Sequence, residues 1–205
     1  MSIPLTPRDI VDSDDNNDVR QLLELWLPLG ERGHAHAQFV IGALFLHGRG
    51  VTQDYDTALE WIAKSAHQQH AEAQFQYALM HIRGQGITRD NRVAAYWLRL
   101  AAEQGVLRAQ CYLSRMYAFG IGTSRSLVYA YMWAMLAAMG KWRVGTMARS
   151  SHDKLRTYAL HALESYAMVM TREEVGAAIR MVKRWRQRYN AAQTSKDDSA
   201  SAASS

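Results

Sequence analysis

The residues best suited to chemistry are the pair Gly48-Arg49-Gly50, eight histidines, the lone thiol of Cys111 and the run Ser151-His152-Asp153. A Gly-x-Gly followed by Val51 and Asp54 has the small residues that let backbone amides cradle a phosphate. His34, His36, His67 and His70 fall at the ends of helical-looking runs, where an antiparallel stack would set four imidazoles along one edge, within range of a metal. Ser151, His152 and Asp153 are the residue types of a hydrolytic triad.

Spacing argues against each of these. The glycine pair recurs as Gly84/Gly86 and Gly120/Gly122, follows a helical run each time, and lacks a Gly-Lys-Ser/Thr continuation. A phosphate loop follows a strand and occurs once per domain, so these glycines read as helix stops with positive backbone torsions. The histidine edge is not repeated, since Val106 and Arg108 stand at the corresponding third positions, and no Cys or carboxylate completes a ligand set. Solvated edge residues are the expected reading, with His67 favoured by a helix carboxyl end and no metal bound. The Ser-His-Asp run is contiguous, whereas triad partners meet in space. Cys111 shares a column with Phe39 and Phe75 and so replaces an apolar side chain. No catalytic residue, cofactor or small-molecule substrate is expected.

The elements that position these residues follow a period. At an offset of 36, the columns Ala37/Ala73/Ala109, Gln38/Gln74/Gln110, Gly48/Gly84/Gly120, Gly50/Gly86/Gly122, Ala58/Ala94/Ala130, Trp61/Trp97/Trp133 and Ala66/Ala102/Ala138 are identical in three copies. Composition alone gives roughly 0.2 such columns, so the repeat is genuine and implies a solenoid. Within a copy, Ala35 to His47 has helical spacing of Ala37, Ile41, Leu44 and Phe45 and reads as helix A. The turn GRGVTQD follows, and then YDTALEWIAKSAHQQ, helix B, with Ala58, Trp61, Ile62, Ser65 and Ala66 inward. Asp54, Asp90 and Ser126 mark helix B starts, because their side-chain oxygens accept from first-turn amides. Subtracting one period from Asp54 gives Asp18, from which VRQLLELWLPLG reads as an isolated helix B with Leu22, Leu25 and Trp26 apolar and Pro28 limiting its end.

The combined pattern Ala-Gln-x-x-Leu/Ile-Gly-x-x-Phe/Tyr-x-x-Gly-x-Gly-Val-x-x-Asp-x-x-x-Ala-x-x-Trp-x-x-x-x-Ala resembles the Sel-one-like repeat, a longer-turned relative of the tetratricopeptide repeat, over residues 18–140. The third copy departs from it, with Ser114 for Gly42, Thr123 for Val51 and Ser126 for Asp54, which predicts a looser turn there. The resemblance implies an adaptor or scaffold that assembles protein complexes. The expected fold is an all-α, right-handed α-solenoid of helix-turn-helix repeats: a flexible start at 1–17, a half-repeat at 18–32, repeats at 33–68, 69–104 and 105–140, and a basic helical cap at 141–190. The segment 191–205, AAQTSKDDSASAASS, is expected to be disordered.

By analogy with tetratricopeptide stacking, the concave face presents His36, Phe39, Val40, Ala43 and His47; then Glu72, Phe75, Gln76, Leu79 and Arg83; then Arg108, Cys111, Tyr112, Arg115 and Phe119. Apolar anchors ringed by charges suit a partner protein or peptide of unknown identity. The alternative, that Phe39 and Phe75 pack within their own unit, stays open. The tryptophan column faces the alanine column and reads as core packing rather than a stacking ladder.

Beyond residue 140 the period fails. SHDKLRTYALHALESYAMVM reads as a helix, and Thr171 with Glu174 forms a capping box before a last helix with the apolar stripe Val175, Ile179, Val182, Trp185 and Tyr189. Opposite that stripe stand Arg180, Lys183, Arg184, Arg186 and Arg188, whose expected reading is a solvated basic face, with an acidic protein, an anionic surface or nucleic acid as the alternative, though no aromatic interleaves with the charges. The chain's net +5 hides an uneven layout: residues 1–140 hold 12 Lys/Arg and 13 Asp/Glu, residues 141–190 hold 11 and 4. One cysteine excludes an internal disulfide and suits a reducing compartment. The first twenty residues carry five aspartates and no signal-like apolar run, and the apolar stretch 127–140 is too short to span a bilayer, so a cytoplasmic protein is expected.

Overall fold

The computed structural model describes residues 16–139 and 149–202. Every described element is helical: α1 (Asn16–Glu31), α2 (Ala35–His47), α3 (Tyr55–His67), α4 (Ala71–Arg83), α5 (Asn91–Glu103), α6 (Leu107–Phe119), α7 (Leu127–Met139), α8 (Arg149–Ala167) and α9 (Arg172–Ala202). The fold is the helical repeat solenoid expected, with helices packed in succession along α1 to α4 and again along α6 to α8. The chain divides into two compact units, Met1–Ala101 and Ala102–Ser205.

One local chemistry builds all three hairpins. Gly48, Gly84 and Gly120 end α2, α4 and α6 in the left-handed region, at φ 64°, 70° and 69°, and donate their amides to the carbonyls of Leu44, Met80 and Met116. The returning chain is then pinned: the amides of Asp54, Asp90 and Ser126 donate to Phe45, His81 and Tyr117 at 3.0, 3.1 and 2.8 Å. Asp54 caps α3 by accepting from the amides of Asp56 and Thr57 and from the Thr57 hydroxyl, and Asp90 accepts from Arg92 and Val93. The third turn is not looser than the others. Gly120 and Gly122 keep φ 69° and 66°, and Thr123 repays its lost apolar side chain with a hydroxyl bond to the Met116 carbonyl at 3.2 Å.

The invariant glutamines tie each hairpin to the helix before it. Gln38, Gln74 and Gln110 are buried, and their side-chain amides donate to the carbonyls of Gly30, Ala66 and Ala102, eight residues upstream in each case. Those carbonyls also accept from the turn amides of Gly33, Gln69 and Gly105, so the end of each preceding helix is doubly satisfied. Gly86 brings two copies together: a Cβ there would lie 2.5 Å from the Tyr55 carbonyl oxygen, so the second turn rests on the main chain that opens α3.

In the first unit, Leu22 and Trp26 of α1 pack with Ala37, Val40, Ile41 and Leu44 of α2, and Trp61 lies against this cluster. A second cluster joins Leu46, Ala58, Ile62 and Met80. Gly42 faces Ile62 so closely that a Cβ would sit 2.6 Å from its Cγ1. Trp97 meets Tyr77 and His67 edge-on, with centroids 5.1 and 5.0 Å apart. Three expectations for α1 need correcting. Pro28 lies inside the helix, which runs to Glu31; Asp18 lies inside it too, since Asn16 already opens it; and Leu25 is 61% exposed, because the core takes Leu22 and Trp26, one helical turn apart.

In the second unit, α7 is flanked by α6, α8 and α9. Leu107, Cys111, Ala137, Ala138 and Ala159 form its core, with Leu155 and Leu163 of α8 against them, and Trp133 is buried. Ser114 donates its hydroxyl to the Ala130 carbonyl at 2.9 Å. The capping box forms: Glu174 accepts from the Thr171 amide at 2.8 Å, and the Glu174 amide donates to the Thr171 hydroxyl at 3.2 Å. Of the expected apolar stripe, Val182 is buried and Val175, Ile179, Trp185 and Tyr189 are half-buried, while Ala178, outside the stripe, is also buried. Expected to stop near residue 190, α9 runs on to Ala202, since residues 191–202 hold no Gly or Pro to break it. The expected flexible segment falls largely on residues 1–15, outside those described.

Candidate functional site

Each unit offers its own helix A surface. In the first, the expected face splits in two. Val40, Phe75 and Leu79 are buried, Phe75 to 1% exposure, and present nothing to a ligand. This corrects the expectation for those three: a helix with neighbours on two sides turns more of its circumference inward than one stripe. Phe39, Ala43, Glu72 and Gln76 are half-buried, and His36, His47 and Arg83 are exposed. Partial burial, and then the charges of nearby Arg49 and Arg83, hold the His47 pKa below the ordinary value. That end of the face is therefore cationic.

The histidine edge resolves into a pair. His36 Nδ1 lies 3.2 Å from His70 Nε2, and Phe39 stacks on the His70 ring with centroids 5.0 Å apart. Trp26 meets His36 edge-on. The Ala73 amide donates to His70 Nδ1, which places the His70 ring proton on Nε2, where it donates to His36. Burial and the neighbouring His36 push the His70 pKa down to about 4. The four imidazoles do not converge: His67 turns to Tyr77 and Trp97, and His34 is exposed at the start of α2. No group of three or more His, Cys, Asp or Glu that could hold a metal occurs among the described residues. His81 is buried against Tyr77 with no hydrogen-bond partner on either ring nitrogen, and burial lowers its pKa.

In the second unit, α6 presents Tyr112, Arg115 and Phe119 at positions three and four apart, all exposed, with Arg108 half-buried behind them. Phe119 is 68% exposed. Cys111 is covered instead: α8 packs over it, and burial pushes its thiol up to about 12, too high for a nucleophile at neutral pH. The same helix adds a residue that the period could not supply. Tyr158 is 43% exposed; burial and then Tyr166 raise its pKa above the ordinary phenol value, and Arg115 is near enough for its charge to oppose that rise in part. An exposed guanidinium thus stands among Tyr112, Phe119 and Tyr158. Ser151 and His152 lie in the first turn of α8, with side chains outside the described residues.

On α9, Arg180, Lys183, Arg184, Arg186 and Arg188 are all exposed, while Trp185 and Tyr189 stack on each other at 4.8 Å on the half-buried side. No helix among the described residues is long and apolar enough to cross a membrane.

Comparison with known proteins places this arrangement. A family model described as Sel1 repeat matches residues 35–70, 71–106 and 107–141. Among solved structures, the chain is similar to a protective antigen present in uropathogenic Escherichia coli strains displaying an SLR fold, with a TM-score of 0.70 and 25% identity over 83% of this chain and 33% of that one. The chain thus spans about a third of that protein's length. It is also similar to a Sel1 repeat protein from Oxalobacter formigenes, with a TM-score of 0.56 and 28% identity over 67% of this chain and 98% of that one. No curated protein matches.

Proposed function

Because the chain belongs to the Sel1 repeat family, we propose that it is a non-catalytic scaffold that holds a partner protein on the helix A surface of its second unit. One observation carries this reading. Tyr112, Arg115 and Phe119 of α6 are exposed together beside Tyr158 of α8, and Tyr and Arg are the side chains that most often dominate protein interfaces. Rigid aromatic rings supply contact area at little entropic cost, and the guanidinium supplies a forked donor for a carboxylate or carbonyl. In this reading the half-copy before α2 and the helices after α7 close the ends of the array. A cytoplasmic setting is supported by the single, buried Cys111.

The test begins with affinity capture and mass spectrometry, which names the partner. Arg115→Glu combined with Phe119→Ala then alters two exposed side chains and should leave the melting curve in place while lowering affinity at least tenfold by calorimetry. Undiminished affinity would remove this surface from the proposal.

A further inference from the structure

Beyond partner binding by helix A, a second surface has its own chemistry. We propose that the solvent face of α9 docks the phosphate backbone of a nucleic-acid duplex, with Arg180, Lys183, Arg184 and Arg188 as its four contacts.

Arg180, Arg184 and Arg188 stand four apart and Lys183 stands three from Arg180, so they share one side of the helix over roughly 12 Å of its length. All four are exposed, and none takes part in an ion pair among the described residues. Of the carboxylates at the start of α9, Glu174 is engaged by the Thr171 amide, which leaves Glu173 as the acidic neighbour. Gly176 lies one turn before Arg180, and the Arg180 guanidinium reaches back over it, Nη1 standing 3.4 Å from where a Cβ would be. Cations one turn apart are spaced by about 6 Å, close to the interval between successive phosphates of a strand.

Energetics chooses between anions. Four exposed ion pairs to carboxylates gain little after side-chain ordering and salt screening. A duplex adds the release of condensed counterions, which grows with each phosphate neutralised. A single strand would need aromatic rings for its bases, and the rings of α9, Trp185 and Tyr189, stack on each other on the opposite side.

The full chain is titrated against a fluorescein-labelled 20-base-pair duplex by anisotropy. Four contacts predict a log-log salt slope of about −3.6, a loss of about 150-fold between 50 and 200 mM salt. Each single change, such as Arg184→Gln, should flatten the slope by about 0.9, and the fourfold Gln variant should abolish binding. Because the four side chains are exposed, circular dichroism should show that variant folded. Binding that ignores salt, or a folded fourfold variant that still binds, overturns the proposal. So does tighter binding of the matching single strand, or displacement of the duplex by poly-glutamate at equal charge, which would assign the face to an acidic protein.

Discussion

Replacing Gly42 with alanine should destabilise the protein, although helix propensity alone predicts the reverse. Gly42 sits in the middle of α2, where alanine is favoured by about 1 kcal/mol. The new Cβ would lie 2.6 Å from Ile62 Cγ1, 3.1 Å from the Ile62 amide nitrogen and 3.2 Å from the Ala58 carbonyl oxygen. Two of those neighbours are main chain, and the third belongs to a fully buried β-branched side chain with little torsional freedom. Overpacking of this kind costs about 1–3 kcal/mol, so after the propensity gain the net change is a loss of up to about 2 kcal/mol. The third copy suggests how the conflict is relieved, since it sets Ser114 where the first has Gly42 and the small Ala134 where the first has Ile62. Ile62→Ala alone should cost about 2–5 kcal/mol by leaving a cavity. Combined with Gly42→Ala it should cost about 1–2 kcal/mol less than the sum, because the Cγ1 clash has gone. Guanidinium denaturation of the four proteins, with slopes compared to confirm a common unfolding reaction, measures this coupling. A Gly42→Ala variant more stable than the parent, or strictly additive losses, would refute the reasoning.

Gly86→Ala should be more damaging than Gly42→Ala, because its Cβ meets the Tyr55 carbonyl at 2.5 Å and its φ is +66°; a loss below about 1 kcal/mol in the same denaturation assay would contradict this contact. Gln110→Leu should cost about 1 kcal/mol, the value of one buried hydrogen bond whose acceptor keeps a second donor in the Gly105 amide; an unchanged midpoint would show the bond to be idle. Acid should weaken the first unit through His70. Its pKa is lowered from 6.5 to about 4 in the fold, so the neutral ring's contribution is complete above pH 6.5 and is lost as pH falls toward 4. Allowing for partial exposure, the loss is roughly 1–2 kcal/mol between pH 7.5 and 4. His70→Asn, which keeps an acceptor for the Ala73 amide, should flatten that part of the stability profile; an equally steep profile would clear His70 of the effect.

Much of this architecture is legible in the sequence, because a repeat sets its own alignment. The bounds of α2, the left-handed stop at Gly48, the Asp54 cap and the Thr171–Glu174 box each depend on residues within a few positions of one another. What escapes depends on neighbours that no column records. Phe39 and Phe75 share a column, yet Phe39 stacks half-buried on His70 while Phe75 is fully enclosed. Tyr158 joins Arg115 from a helix outside the period, so alignment of the copies cannot reach it. The glutamine column was countable, but its purpose shows only when the side chain is seen eight residues back on a helix end. His36 and His70 occupy different columns, and their bond depends on two helix starts meeting at 3.2 Å.

The seating of Gly86 on the Tyr55 carbonyl has a practical consequence. Where main-chain atoms keep adjacent hairpins in step, the outward side chains are free to be rewritten. A library randomised at His36, His47 and Arg83, exposed side chains of that same unit, should therefore yield binders for unrelated targets from one unaltered framework, much as an alphabet can change while the ruled lines beneath it stay fixed.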